Sequence, residues 1–216
     1  FDTSGRFPAR LKAPATLELG ADRVRLGAAE IAAGNKGRLR LQEIAWSPAQ
    51  SVLRGDLAGL VLELEPPRRD GRPRRNADPL TLSARWDLVV GRTLEGEARV
   101  FRESGDLSVE GELRTRLGLD KLEAVLKARG DRVSLALDVR GSELGSVQGE
   151  AGLRARRTAD GLWSVPPGTP ISGSAQLDVP SIAWLGRLAQ ENIELAGRIA
   201  GSFSVEAVLR VLILPV

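Results

Sequence analysis

Cysteine and histidine carry much of the chemistry that proteins do at neutral pH, and this chain has neither. Their absence removes thiol nucleophiles, disulfides, Cys or His metal sites and every triad built on histidine. The phosphate loops G-x-x-x-x-G-K-[ST] and G-x-G-x-x-G do not occur, nor do the nucleophile motifs G-x-S-x-G and S-x-x-K. Carboxylates remain, but Glu110, Glu112 and Asp138 alternate with apolar residues and read as solvated strand faces. "ESGD" (103–106) resembles an acidic metal loop only superficially. It lacks the repeated oxygen ligands that calcium needs, and a hairpin turn accounts for it better. The expectation is no enzyme, no metal and no cofactor. Hydrolysis of glycan by paired carboxylates is the one catalytic class left open.

Charge narrows the partners. Thirty-one basic residues face 28 acidic ones for a net charge of +3, a mixed solvated surface rather than the concentrated positive field of a nucleic-acid binder. Aromatics are 4% with no tyrosine, too few for a platform that stacks single-stranded bases. No nucleic acid is expected. The segment "PPRRDGRPRRNADP" (66–79) gathers Arg68, Arg69, Arg72, Arg74 and Arg75. It reads as an exposed loop, solvated or touching anionic headgroups. No run reaches the roughly 18 apolar residues of a membrane-spanning helix. The chain starts at Phe1 and reads as an internal segment of a longer protein, with any anchor outside it.

The elements that position these residues are strands. In "LTLSARWDLVV" (80–90), Leu80, Leu82, Ala84, Trp86, Leu88 and Val90 share one face, and Thr81, Ser83, Arg85 and Asp87 the other. The same period of two recurs at 57–64, 94–101, 107–113, 133–139, 147–155, 171–179 and 193–207. Turn signals at Gly91-Arg92, Ser104-Gly105-Asp106, Gly130-Asp131 and Gly141-Ser142 separate the runs. The cadence predicts one antiparallel meander of about a dozen strands. A second exposed loop is expected at 156–169. After Pro180, Ser181 with Ile182, Leu185, Leu188 and Ala189 predicts a short helix near 181–190.

A sandwich, a closed barrel or a curled trough would each bury such an apolar face. Inward positions mix Leu and Val with small residues: Gly96, Ala98, Gly111, Ala124, Ala128, Gly149, Ala151, Gly173, Ala175 and Gly197. Small inward residues leave space or permit strong curvature. A dozen strands at about 4.8 Å each stack to a trough on the order of 55 Å long. That is longer than the ~30 Å hydrocarbon core of a bilayer.

"PISGSAQLDVPSIAWLGRL" (170–188), followed by "ELAGRIAGSF" (194–203), resembles the C-terminal region of the TamB family, and "ARWDLVVGRTLEGEARVFRESGDL" (84–107) is similar to the same family. The likeness is best over 80–205 and departs at "VEAVLRVLILPV" (205–216). It implies an all-β fold, a long antiparallel meander curled into a trough (a β-taco) with an apolar interior. It also implies a periplasmic protein anchored in the inner membrane in its full length, and working with the outer-membrane barrel protein TamA. Such bridge proteins are thought to move phospholipid between membranes and are linked to outer-membrane protein assembly.

Residues 1–216 are therefore expected to form a single β-taco segment. Its groove, holding phospholipid acyl chains, would be lined by Leu80, Leu82, Trp86, Leu88, Val133, Leu135, Leu137, Val139, Ile171, Leu177, Val179, Leu195, Ile199 and Phe203. The alternative is a scaffold or chaperone that pairs its sheet edges with strands of outer-membrane protein clients or TamA.

Overall fold

A computed structural model of the chain describes residues 2–3, 9–34, 36–62, 78–109, 115–183 and 196–208. Eighteen strands run in chain order. The first seven are β1 (Asp2–Thr3), β2 (Ala9–Leu11), β3 (Leu17–Gly20), β4 (Arg23–Leu26), β5 (Ala29–Ala33), β6 (Gly37–Trp46) and β7 (Ser51–Val61). The middle of the chain supplies β8 (Thr81–Val90), β9 (Leu94–Ser104), β10 (Ser108–Val109), β11 (Thr115–Arg116), β12 (Leu119–Gly130) and β13 (Arg132–Gly141). The last are β14 (Gly145–Arg154), β15 (Arg156–Arg157), β16 (Trp163–Ser164), β17 (Pro170–Val179) and β18 (Ile199–Val208).

The fold is all-β. One sheet orders its strands β1-β2-β5-β6-β7-β8-β9-β12-β13-β14-β17-β18, with the β3–β4 hairpin joined to β6 through β4. Every strand pairing in it is antiparallel and it does not close into a barrel. The expected meander is present as an open sheet, the form that a trough requires.

Period-2 patterning alone does not keep the apolar residues on one side of this sheet; bulges do. In β6, strict alternation would turn Ile44 and Trp46 away from Leu39 and Leu41. The register shifts between Leu41 and Glu43, so the extra residue Gln42 restores all four to one face. In β7 the shift falls between Leu57 and Leu60. Gly59 takes φ +69 there, a conformation that glycine adopts without cost. The N–H of Gly59 donates to the Glu103 carboxylate at 3.0 Å, and the buried Ser83 hydroxyl donates to the same carboxylate. These two donors hold Glu103 below its ordinary pKa.

One expected strand lies elsewhere. Of the 107–113 alternation, the described residues 107–109 do not enter the large sheet, and 110–113 lie outside the described residues. Among the described residues β10 and β11 pair only with each other, and β9 pairs directly with β12. The chain leaves the sheet at "ESGD" because Gly105, at φ +81, packs against the Pro79 carbonyl, where a Cβ would collide. The buried Asp106 carboxylate then accepts the N–H groups of Leu107, Gly118 and Leu119 at 2.8, 3.1 and 2.9 Å. This carboxylate ties both ends of the excursion to the start of β12, in place of the expected hairpin turn.

The second loop, 156–169, is also partly ordered into strand. β15 pairs β16, and the Trp163 indole N–H donates to the Gly91 carbonyl at 2.9 Å. Most of the 66–79 loop lies outside the described residues. So does the predicted helix beyond Ala183; its cap is visible, with Ser181 Oγ accepting the Ala183 N–H at 3.4 Å. The well-buried large apolar side chains, Leu80, Leu117, Leu119 and Val179, gather along one rim of the sheet. They close that rim and leave the middle of the face uncovered.

Candidate functional site

Residues directly opposite on neighbouring strands point to the same side. Following Trp86 through its partners gives the row Ala29, Leu41, Gly55, Trp86, Ala98, Leu126, Leu135, Ala151, Gly173, Val205. One step along the strands lies Leu11, Ile31, Leu39, Leu57, Ala84, Val100, Ala124, Leu137, Gly149, Ala175, Phe203. On the other flank lies Leu17, Leu26, Ile44, Leu53, Leu88, Gly96, Ala128, Val133, Leu153. No polar or charged residue interrupts these three rows. The strongly exposed large apolar residues are Leu17, Leu19, Trp46, Leu53, Val100, Leu135, Leu137, Leu162, Ile199, Phe203 and Val205. All but Leu162 lie on this one face.

The face has relief. β13 contributes large residues, whereas Gly149 and Ala151 of β14 stand beside Gly173 and Ala175 of β17. On the far side rise Phe203 and Val205 of β18. The result is a shallow depression with a glycine and alanine floor. One wall is Leu135 and Leu137, 47% and 38% exposed, and the other is Phe203 and Val205, 51% and 45% exposed. Leu177 and Val147 pair at one end of the floor. From β13 to β18 is three strand spacings, roughly 14 Å. Gly173 is fixed by backbone approach, since a Cβ there would strike the Glu150 carbonyl. Nearer the middle of the sheet, the Trp86 ring lies over Gly55, where an added Cβ would sit 2.6 Å from it.

Of the residues expected to line the groove, Leu82, Trp86, Leu88, Val133, Leu135, Leu137, Val139, Ile171, Leu177, Val179, Ile199 and Phe203 are brought to this face by the register. Val179 and Leu80 are 5% and 3% exposed, so both pack within the rim. Leu195 lies outside the described residues. The sequence reading passed over Leu39, Leu41, Ile44, Leu53 and Leu57. The bulges at Gln42 and Gly59 break the alternation that would have revealed them.

The opposite face is ionic. Arg54 bridges Glu43 and Asp87, each at 2.8 Å, and this pairing raises its pKa. Lys121 donates to Asp138 at 2.7 Å and holds that carboxylate below its ordinary range, aided by Arg140. Arg85 and Arg99 face each other across β8 and β9 and share the ring of Phe101, at 6.0 and 5.3 Å, while Arg99 pairs with Glu123. Among the described residues no cluster of carboxylates is arranged to hold a metal ion. The two faces divide the chemistry: one offers charge to water, the other is apolar across its three central rows, with Arg102 opposite Leu82 and Ser51 opposite Trp46 near its margins. Comparison with protein families, with curated proteins and with solved structures finds no match to this chain.

Proposed function

We propose that this chain is a non-enzymatic segment of a TamB-like periplasmic bridge protein, anchored in the inner membrane in its full length. Its apolar face carries phospholipid acyl chains between the inner and outer membranes and supports outer-membrane protein assembly together with TamA. The observation that supports the reading is the apolar face itself: three uninterrupted apolar rows crossing the sheet, with nearly all the strongly exposed large side chains on that one side. A monomeric soluble protein rarely leaves so continuous a patch without a partner. The mechanism is passive. Each acyl methylene removed from water gains about 0.8 kcal/mol wherever it lies on the face. With no polar step along the rows, a chain moves without a barrier at any one position.

Photo-crosslinkers placed at Leu135 and Phe203 in the full-length protein test this. Crosslinks to phospholipid, absent from a probe at Gln176 on the ionic face, are the expected result. Equal lipid capture from both faces would defeat it. A second reading rests on β18, which pairs only with β17 among the described residues. Its open edge suits addition of a client strand. Crosslinks from β18 to outer-membrane protein, in place of lipid, would favour that role.

A further inference from the structure

On the ionic face, two pairs of cations that meet across strands have a carboxylate or a ring between them. Lys121 and Arg140 are partners and share Asp138. Arg85 and Arg99 share Phe101. The row at the turn end of β12, β13 and β14 departs from this pattern at its centre, Arg132. Arg129 stands opposite Arg132, and Arg132 opposite Arg154, an arrangement that repels. Carboxylates serve the two outer arginines: Asp131 accepts from Arg154 at 3.1 Å, and Glu95 stands opposite Arg129 while accepting the Gly130 N–H at 3.1 Å, which leaves Arg132 at the centre of the row.

Arg132, Arg154 and Arg156 line a cleft of about 1060 Å³ between this end of the sheet and the Pro166–Pro170 segment. Asp131 and Glu150 also line it, which leaves it one positive charge in excess. One step below the arginines, Ser134, Gly152 and Ser172 form the next cross-strand row. Gly152 is a gap in the carpet of side chains. A Cβ added there would meet only the Val133 carbonyl, at 3.7 Å. The gap exposes a patch of floor between Ser134 and Ser172, with Arg132 and Arg154 in the row on one side and Glu150 in the row on the other. Arginine forks match the paired oxygens of a phosphate, and serine hydroxyls supply the remaining donors.

We propose that this cleft binds a phosphate-bearing anion, either a free phosphate ester or a lipid headgroup, seated over Gly152 between Ser134 and Ser172. The site lies on the face opposite the apolar rows, so it stands or falls independently of acyl-chain carriage. The test follows the amide resonances of Ser134, Gly152 and Ser172 while the chain is titrated with inorganic phosphate, glycerol 3-phosphate and dihexanoyl phosphatidylglycerol. Saturable shifts are expected with at least one of the three, at least about tenfold weaker in Arg132→Gln and lost in Gly152→Asp. Both variants should keep the wild-type melting temperature, because Gly152 has ordinary φ and open space above it. A response to the two soluble phosphates assigns a free-ester site; a response to the lipid alone assigns a headgroup site. No saturable shift with any of the three, an equal response to chloride, or wild-type binding by Arg132→Gln overturns the proposal.

Discussion

Replacing Leu135 by aspartate separates the energy that the apolar face invests in the fold from the energy it holds for a cargo. Full burial of a leucine is worth about 1.5–3 kcal/mol. Leu135 is 47% exposed, so roughly half of that, about 1 kcal/mol, already supports the sheet. Losing it should lower the melting temperature by about 2–4 °C in a chain of this length. In the free protein the new carboxylate stays in water, because nothing described covers the face at this point. An acyl chain laid over Leu135 and the Ala151–Gly173 floor must either strip that carboxylate of water, at a cost of several kcal/mol, or stand off from it. If three methylenes stand off, about 2.4 kcal/mol is lost, which is about 50-fold in affinity. The assay is a binding isotherm with a phospholipid carrying a fluorophore at the end of one acyl chain. Gln176→Asp, on the ionic face of β17, serves as the charge control and should bind as wild type. If Leu135→Asp melts within the stated range and still binds within about threefold of wild type, acyl chains do not lie in this depression and the reasoning fails.

Three further outcomes follow from the same geometry. Gly55→Ala puts a Cβ 2.6 Å from both the Arg40 carbonyl and the Trp86 ring, so it should cost about 1–3 kcal/mol and shift the emission of Trp86. Asp106→Ala strands the N–H groups of Leu107, Gly118 and Leu119, and urea unfolding should show a loss of about 3 kcal/mol or more, with Asp106→Asn in between. Acid should weaken the fold through Glu103, held down chiefly by Ser83, Asp138, held down chiefly by Lys121, and Glu30, held down chiefly by Lys12. A carboxylate whose folded pKa is depressed contributes fully above its unfolded pKa, and that contribution is lost as pH falls through the lower folded value. Melting temperatures should therefore hold steady near neutrality and fall below the ordinary carboxylate range. Ser83→Ala should flatten part of that fall.

Much of the architecture was legible in the residues. The strands from 80 to 104 and from 119 to 179 follow the apolar alternation, and the turns at Gly130-Asp131 and Gly141-Ser142 fall where small and acidic residues stand together. The hairpin turn expected at "ESGD" does not form: β9 pairs with β12, and the chain after Ser104 leaves the sheet. Sequence could not show this, because alternation records a face and not a partner. Trp86 reads as an apolar-face residue from its own strand. That its ring rests on Gly55, thirty-one positions earlier, depends on how β7 is paired.

Sequence by itself determined that this chain makes strands with one greasy and one ionic side, and which small residues would lie inward. A period of two is local: it needs only the backbone's own pleat. The tertiary structure decided that the eleven strands from β2 to β18 along the main path of the sheet share a single apolar face, because bulges at Gln42 and Gly59 correct the phase of β6 and β7. It also decided that Gly149, Ala151, Gly173 and Ala175 meet to form a floor between leucine and phenylalanine walls, and that Arg129, Arg132 and Arg154 stack on the reverse. Register between strands distant in sequence sets those meetings, and a one-residue slip in any pairing would dissolve both sites while leaving every strand intact.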